Sequence, residues 1–119
     1  MKINRAVIIL IMLTTSAHAA SELGGVGVHT CAQFAKDFQK NPSDAEMVYN
    51  TWALGFMSGM NATLEVENKP RRDLEAMSFE DKKTFMRDYC DQHPLQLYLA
   101  GIIELMGSLP LVTENPPKK

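Results

Sequence analysis

Four residues stand out first for their chemistry: His29 and Cys31 as an H-x-C pair, and Cys90 and His93 as a C-x-x-H pair. Two cysteines with two histidines form a zinc-type ligand set, and a thiol beside a histidine is the arrangement of a cysteine nucleophile. Both chemistries need a free thiolate. Cys31 and Cys90 are the only cysteines of the chain, and two cysteines in an exported protein are expected to pair, because that compartment is oxidising. A disulfide is therefore predicted. It would close a loop of about 60 residues, worth about 4 kcal/mol of loop-closure entropy. His29 then reads as an unstructured flank, and His93 as a helix-end residue ahead of Pro94. No metal ligands and no cofactor are expected.

The remaining candidates have simpler explanations. Asp88 and Asp91 flank Cys90 three residues apart and read as solvated carboxylates of an exposed helix face. Tyr49 and Trp52 could line a pocket, but core packing accounts for them. Asn61-Ala62-Thr63 fits a glycosylation sequon inside a helical pattern. The chain contains no G-x-S-x-G, no H-E-x-x-H, no phosphate-binding glycine loop and no dinucleotide fingerprint. No catalytic residue is assigned, and the expectation is a protein that is not an enzyme.

The elements that would position these residues begin after an address segment. Lys2 and Arg5 precede an unbroken apolar run over residues 6–13, and Ala17-His18-Ala19 is an A-x-A site, the order of a secretory signal peptide. Eight apolar residues rise only about 12 Å as a helix, well short of a hydrocarbon core of about 30 Å. The reading is a signal peptide over residues 1–19, cleaved after Ala19, a periplasmic location and no stable membrane insertion. Residues 20–29, with Gly24, Gly25 and Gly27, read as a flexible lead-in, residues 30–110 as one helical domain, and residues 111–119 as a polar tail. Without the leader the side chains carry a net charge of about −4, which gives no electrostatic reason to expect nucleic acid as a partner.

Within the domain the periodicity predicts an all-α fold, a small four-helix orthogonal-type bundle closed by Cys31–Cys90. Thr30 with Gln33 has capping-box spacing and opens a first helix over residues 31–39, stopped at Asn41-Pro42. Ser43 with Glu46 is a second capping box, opening the longest helix, with Met47, Tyr49, Trp52, Ala53, Phe56, Met60 and Leu64 near its inner face. Gly55 and Gly59 each cost about 1 kcal/mol in helix propensity. With Trp52 and Phe56 they form a W-x-x-G-F-x-x-G packing motif, which predicts another backbone close against this helix. Residues 65–77 are polar and carry Pro70, so they read as a connection. Ser78 begins a third helix with Phe85, Met86, Tyr89 and Cys90 inward. Pro94 reads as the first residue of a fourth, whose stripe is Leu95, Tyr98, Leu99, Ile102, Ile103, Met106 and Leu109. Leu97, opposite that stripe, and Leu105 are the candidate contacts for a client or for a second copy.

Several of these residues carry a resemblance. The chain resembles the HdeA/HdeB group of small periplasmic acid-stress chaperones in its cleaved leader and in Thr30-Cys31-Ala32-Gln33-Phe34, similar to a T-C-x-x-F opening. Trp52 with Gly55-Phe56 in helix two continues the likeness, and Tyr89-Cys90-Asp91-Gln92-His93-Pro94 is similar to a Y-C-x-x-x-P stretch. By this matching the two cysteines are the family's disulfide pair. The chain departs from the group in a longer interval between the cysteines, in the extra W-x-x-G-F-x-x-G pattern of helix two and in a more apolar last helix. In these it resembles a broader set of small exported helical proteins that includes immunity proteins of type VI secretion systems. The first resemblance implies a chaperone that opens in acid to hold unfolding clients, with a homodimer as a further state. The second implies a module that binds a toxin or other protein at neutral pH through residues 65–73. Either way the partners are proteins.

Overall fold

The computed structural model describes residues 23–112. The leader with its cleavage after Ala19, and most of the polar tail, lie outside them. Four α-helices follow a short 3₁₀ turn at Gly25–Val28: α1 (Cys31–Lys40), α2 (Pro42–Val66), α3 (Phe79–Gln92) and α4 (Tyr98–Ser108). Cys31, the first residue of α1, is bonded to Cys90 near the end of α3. The fold is thus an all-α bundle of four helices closed by one disulfide. Among the described residues there is no strand, only isolated antiparallel bridges of Thr30 with Leu97 and Arg72 with Leu111. No described helix is long and apolar enough to cross a membrane.

The helix starts follow local hydrogen-bond needs. Thr30 Oγ1 accepts from the Gln33 amide at 3.2 Å and caps α1, while the Gln33 side chain reaches forward to Asp37 at 2.9 Å; only half of the expected capping box forms. For α2 the expected Ser43–Glu46 box is replaced. Asn41 is the cap, accepting from the Asp44 amide at 3.3 Å, and Pro42 occupies the first turn, where a missing N–H costs nothing. Glu46 is thereby free to act across helices. Ser78 caps α3 through the Asp81 amide, as expected.

The fourth helix starts at Tyr98, four residues later than Pro94. The cause lies in α1, whose first N–H groups need acceptors. Cys31 N–H donates to Gln96 O and Ala32 N–H to Pro94 O, each at 2.8 Å. Those carbonyls cap the neighbouring helix, so the turn at 93–97 stays out of α4.

The core joins Cys31 and Phe34, then Tyr49, Ala53 and Met57, then Met86 and Cys90, then Tyr98, Ile102, Leu105 and Met106. On α2 the buried row is Ala45, Tyr49, Ala53 and Met57 at intervals of four. Met47 and Met60, expected inside, are exposed. On α4 Leu95 and Ile103 are exposed, and Leu105 is buried at 1% exposure. Leu105 therefore has no surface to offer a client or a second copy. Leu97, 42% exposed, keeps that capacity.

The disulfide ties α1 to α3 across the whole α2 segment. A chain with both Cys31→Ser and Cys90→Ser is expected to lose about 4 kcal/mol of unfolding free energy. Urea titration of the oxidised and doubly substituted proteins measures it, and equal midpoints would remove the crosslink from the stability argument.

Candidate functional site

Two of the polar clusters that tie α2 to its neighbours depend on a carboxylate. In the first, the Tyr49 hydroxyl donates to Asp37 Oδ2 at 2.8 Å. A phenol has one proton, so the same oxygen accepts from His29 Nδ1–H, also at 2.8 Å. Gln33 Nε2 holds the other Asp37 oxygen at 2.9 Å. His29 is thus a structural partner of the core and not an unstructured flank. The Tyr49 ring packs edge-on against Phe34 and Tyr98, with centroids 4.9 and 4.8 Å apart. Burial, and then the hydrogen bond to Asp37, push its phenol well above the ordinary tyrosine range.

The second cluster centres on Glu46. Its Oε2 meets Lys83 Nζ at 2.9 Å and its Oε1 meets Arg87 Nη1, joining α2 to α3. Lys83 also reaches Glu80 at 2.9 Å. The hydrogen bonds it donates to Glu80, and next to Glu46, raise the Lys83 ammonium above its ordinary value. A raised lysine stabilises at every pH below its unfolded value and loses that effect only as pH rises through the folded one. The Tyr98 phenol of α4 is pushed up by burial and then by the nearby Glu46 charge.

The expected W-x-x-G-F-x-x-G motif divides into two parts. Trp52 receives the lead-in: Nε1–H donates to Gly24 O at 3.1 Å, and the indole lies flat against Gly27, where any Cβ would overlap it. Gly25, at φ +77°, sits over the pyrrole side of the ring. The lead-in is therefore a packed strap from residue 24 onward, not a flexible segment. Phe56 stacks on Trp52 with ring planes 9° apart and centroids at 5.3 Å. Gly55 and Gly59, by contrast, have no atom within 4 Å of where a Cβ would stand. The close backbone predicted against them is absent among the described residues; the close approach falls instead on Gly27, and on Gly101 beside Met86 and Tyr89. In its place lies an open furrow of about 570 Å³ lined by Gly55, Phe56, Gly59, Met60, Thr63 and Leu64, with Glu67 at its end.

The connection after α2 is anchored in part through Arg72. Asn61 Nδ2 donates to Arg72 O at 2.7 Å and Asn61 Oδ1 accepts from Arg72 N–H at 2.9 Å, while Arg72 Nη1 donates to Leu109 O at 2.8 Å. The sequon asparagine is thus engaged at both ends of its amide. Beside it a cleft of about 480 Å³ is lined by Glu65, Asn68, Lys69, Pro70, Arg71 and Val112. Its charges are paired at the surface, Lys69 with Glu67 and Arg71 with Glu65.

Around the disulfide, His29 is held by Tyr49, and the His93 ring packs at a tilt against Tyr89 with centroids 4.6 Å apart. Both thiols are consumed by the bond, and among the described residues no three His, Cys, Asp or Glu side chains converge. Asp88 and Asp91 are exposed. The class that fold and site define is a disulfide-closed four-helix bundle with carboxylate-tied helices and an open apolar furrow. Comparison with family models, with curated proteins and with solved structures finds no match to this chain.

Seating of the strap is testable at Gly27. A Gly27→Ala methyl has no room against Trp52, so the substitution is expected to cost about 1–3 kcal/mol and to shift Trp52 emission to the red. Unchanged emission and stability would mean that the strap does not rest on the indole in solution.

Proposed function

We propose that the protein is an exported, acid-responsive holder of unfolding proteins rather than an enzyme. One observation carries the reading: α2 is tied to α1 by the Tyr49–Asp37 hydrogen bond, with His29 of the strap on the same hydroxyl, and to α3 by Glu46, whereas α1 and α3 are tied to each other by a covalent bond. Acid below about pH 4 removes carboxylate charge and leaves a disulfide intact. Around Asp37 the facing groups are Gln33, Tyr49 and His29. Around Glu46 they are Lys83, Arg87 and the Tyr98 phenol, with Glu80 beyond Lys83. Protonation of Glu46 leaves Lys83 and Arg87 facing each other across a neutral group, and protonation of Asp37 replaces a charge-assisted hydrogen bond by a weaker neutral one.

Meanwhile the side chains without the leader move from about −4 to about +12, and that self-repulsion favours expansion. Release of α2 would uncover the apolar faces of Tyr49, Ala53 and Met57 and their partners on α4, while the disulfide keeps α1 and α3 together. Such a surface holds unfolding chains by hydrophobic contact. The resemblance to the HdeA/HdeB group agrees with this reading.

The test is an acid titration of the oxidised protein, following Trp52 emission and the aggregation of an acid-sensitive client at each pH. Opening and client protection are expected to coincide at low pH. Glu46→Gln combined with Asp37→Asn is expected to move the opening toward neutral pH. A fold that stays native at pH 2–3, or one that opens while the client aggregates unhindered, would sink the proposal.

A second reading has its own observation. The double hydrogen bond from Asn61 to Arg72, with Arg72 fixed to Leu109, pre-organises residues 65–73 at neutral pH, as a specific binding surface for a toxin or other protein requires. Under that reading a neutral-pH complex with one partner weakens at least tenfold in Asn61→Ala. Equal affinity of this variant would exclude the loop as the surface.

A further inference from the structure

We infer that the open furrow on α2 is the seat of a client segment, and that the segment it takes is an extended, uncharged stretch rich in glycine and β-branched residues. The inference rests on the proposed holding function for the source of that segment, but its chemistry is read from the molecule itself. The strap already occupies one end of the same surface. It runs antiparallel to α2, with His29 at Tyr49 and Gly27 and Gly25 at Trp52, and its sequence there is Gly24-Gly25-Val26-Gly27-Val28. Its glycines let the backbone lie on the indole, a main-chain carbonyl accepts from Trp52 Nε1–H, and Val26 packs on the core. Phe56, stacked on Trp52, carries the surface on into the furrow, where Gly55 and Gly59 leave the helix backbone bare.

Charge supports the same occupant. From Met47 to Leu64 the helix carries no ionisable acid or base other than the buried Tyr49 phenol. Glu67, at the furrow's end, is already paired with Lys69, so a charged segment would lose hydration there with little compensation. An uncharged segment loses little, and bare glycines let its backbone approach closely. In acid the weakened Asp37–Tyr49–His29 chain would free the strap, exposing Trp52 and lengthening the seat.

The probe is a synthetic peptide with the sequence of residues 23–28, amidated at its C-terminus and carrying a neutral, pH-insensitive BODIPY dye at its N-terminus, titrated by anisotropy into the full oxidised protein at pH 7 and at pH 3. Binding is expected at both, at least fivefold tighter in acid. Gly59→Leu, which fills the furrow, is expected to weaken binding at least tenfold. Its melting temperature should not fall, because leucine is the better helix former and nothing stands within 4 Å to clash. A peptide with both valines replaced by aspartate should not bind. Full affinity in Gly59→Leu, equal binding of the aspartate peptide, or no binding to the unsubstituted protein would each overturn the inference. The two proposals fail separately. Peptide binding without client protection in acid would remove the holding function alone, and protection without peptide binding would remove the furrow alone.

Discussion

The Cys31–Cys90 bond sets the terms on which every other contact operates. It pins the first turn of α1 to the last turn of α3, and the 93–97 turn that follows α3 is therefore held beside the start of α1. That proximity lets Gln96 O and Pro94 O accept from Cys31 and Ala32 N–H. The same placement delays the start of α4 and brings Leu97 against Thr30. One covalent constraint thus fixes a helix cap, a helix start and the path of the strap, which runs directly into Thr30. The α2 helix lies inside the loop the disulfide closes, and its place depends on packing and on polar contacts alone.

That division of labour leaves α2 held by side-chain packing and polar contacts, with no crosslink of its own. Its inward row of Ala45, Tyr49, Ala53 and Met57 is narrow, with alanines at two of four places. Burial of a large apolar side chain contributes about 1.5–3 kcal/mol and an alanine much less. Tyr49 accordingly has a double part: its ring fills the centre between Phe34 and Tyr98, and its hydroxyl joins Asp37 to His29. A buried phenol without partners would cost about 1–3 kcal/mol. The position of α2 and the satisfaction of that hydroxyl are one requirement, met by residues from three separate elements.

Much of this was legible in the sequence, and the failures share a cause. Thr30 and Ser78 announce their helices because a cap is a local interaction, complete within four residues. The disulfide follows from counting cysteines. The misread places are those where a residue's partner is remote in sequence. Glu46 has capping-box spacing from Ser43, yet its carboxylate is taken by Lys83 and Arg87 from α3. Leu105 and Ile103 exchange roles because the inward face of α4, set by the elements it packs against, is centred on Tyr98, Ile102 and Leu105. His29 gave no signal beyond its type. A histidine at the end of a glycine-rich lead-in carries no mark of Tyr49, 20 residues further on, and only the folded path brings the two together.

The glycines give the sharpest physical lesson about the site. In a helix glycine costs stability, so Gly55 and Gly59 invite the inference of a close neighbour, while Gly24, Gly25 and Gly27 in a polar lead-in invite the inference of slack. The packing reverses both. A large flat indole needs a partner surface without side chains, and a short glycine-rich segment supplies one as well as a helix does. Once Trp52 is covered in this way, the helix glycines are left bare beside it, at a continuing cost of about 1 kcal/mol each in propensity. A domain of this size has only about 5–15 kcal/mol of net stability in total, so two such positions on a solvent-facing furrow are a substantial concession. Stability of the isolated bundle does not account for them; the proposed seat for another chain would.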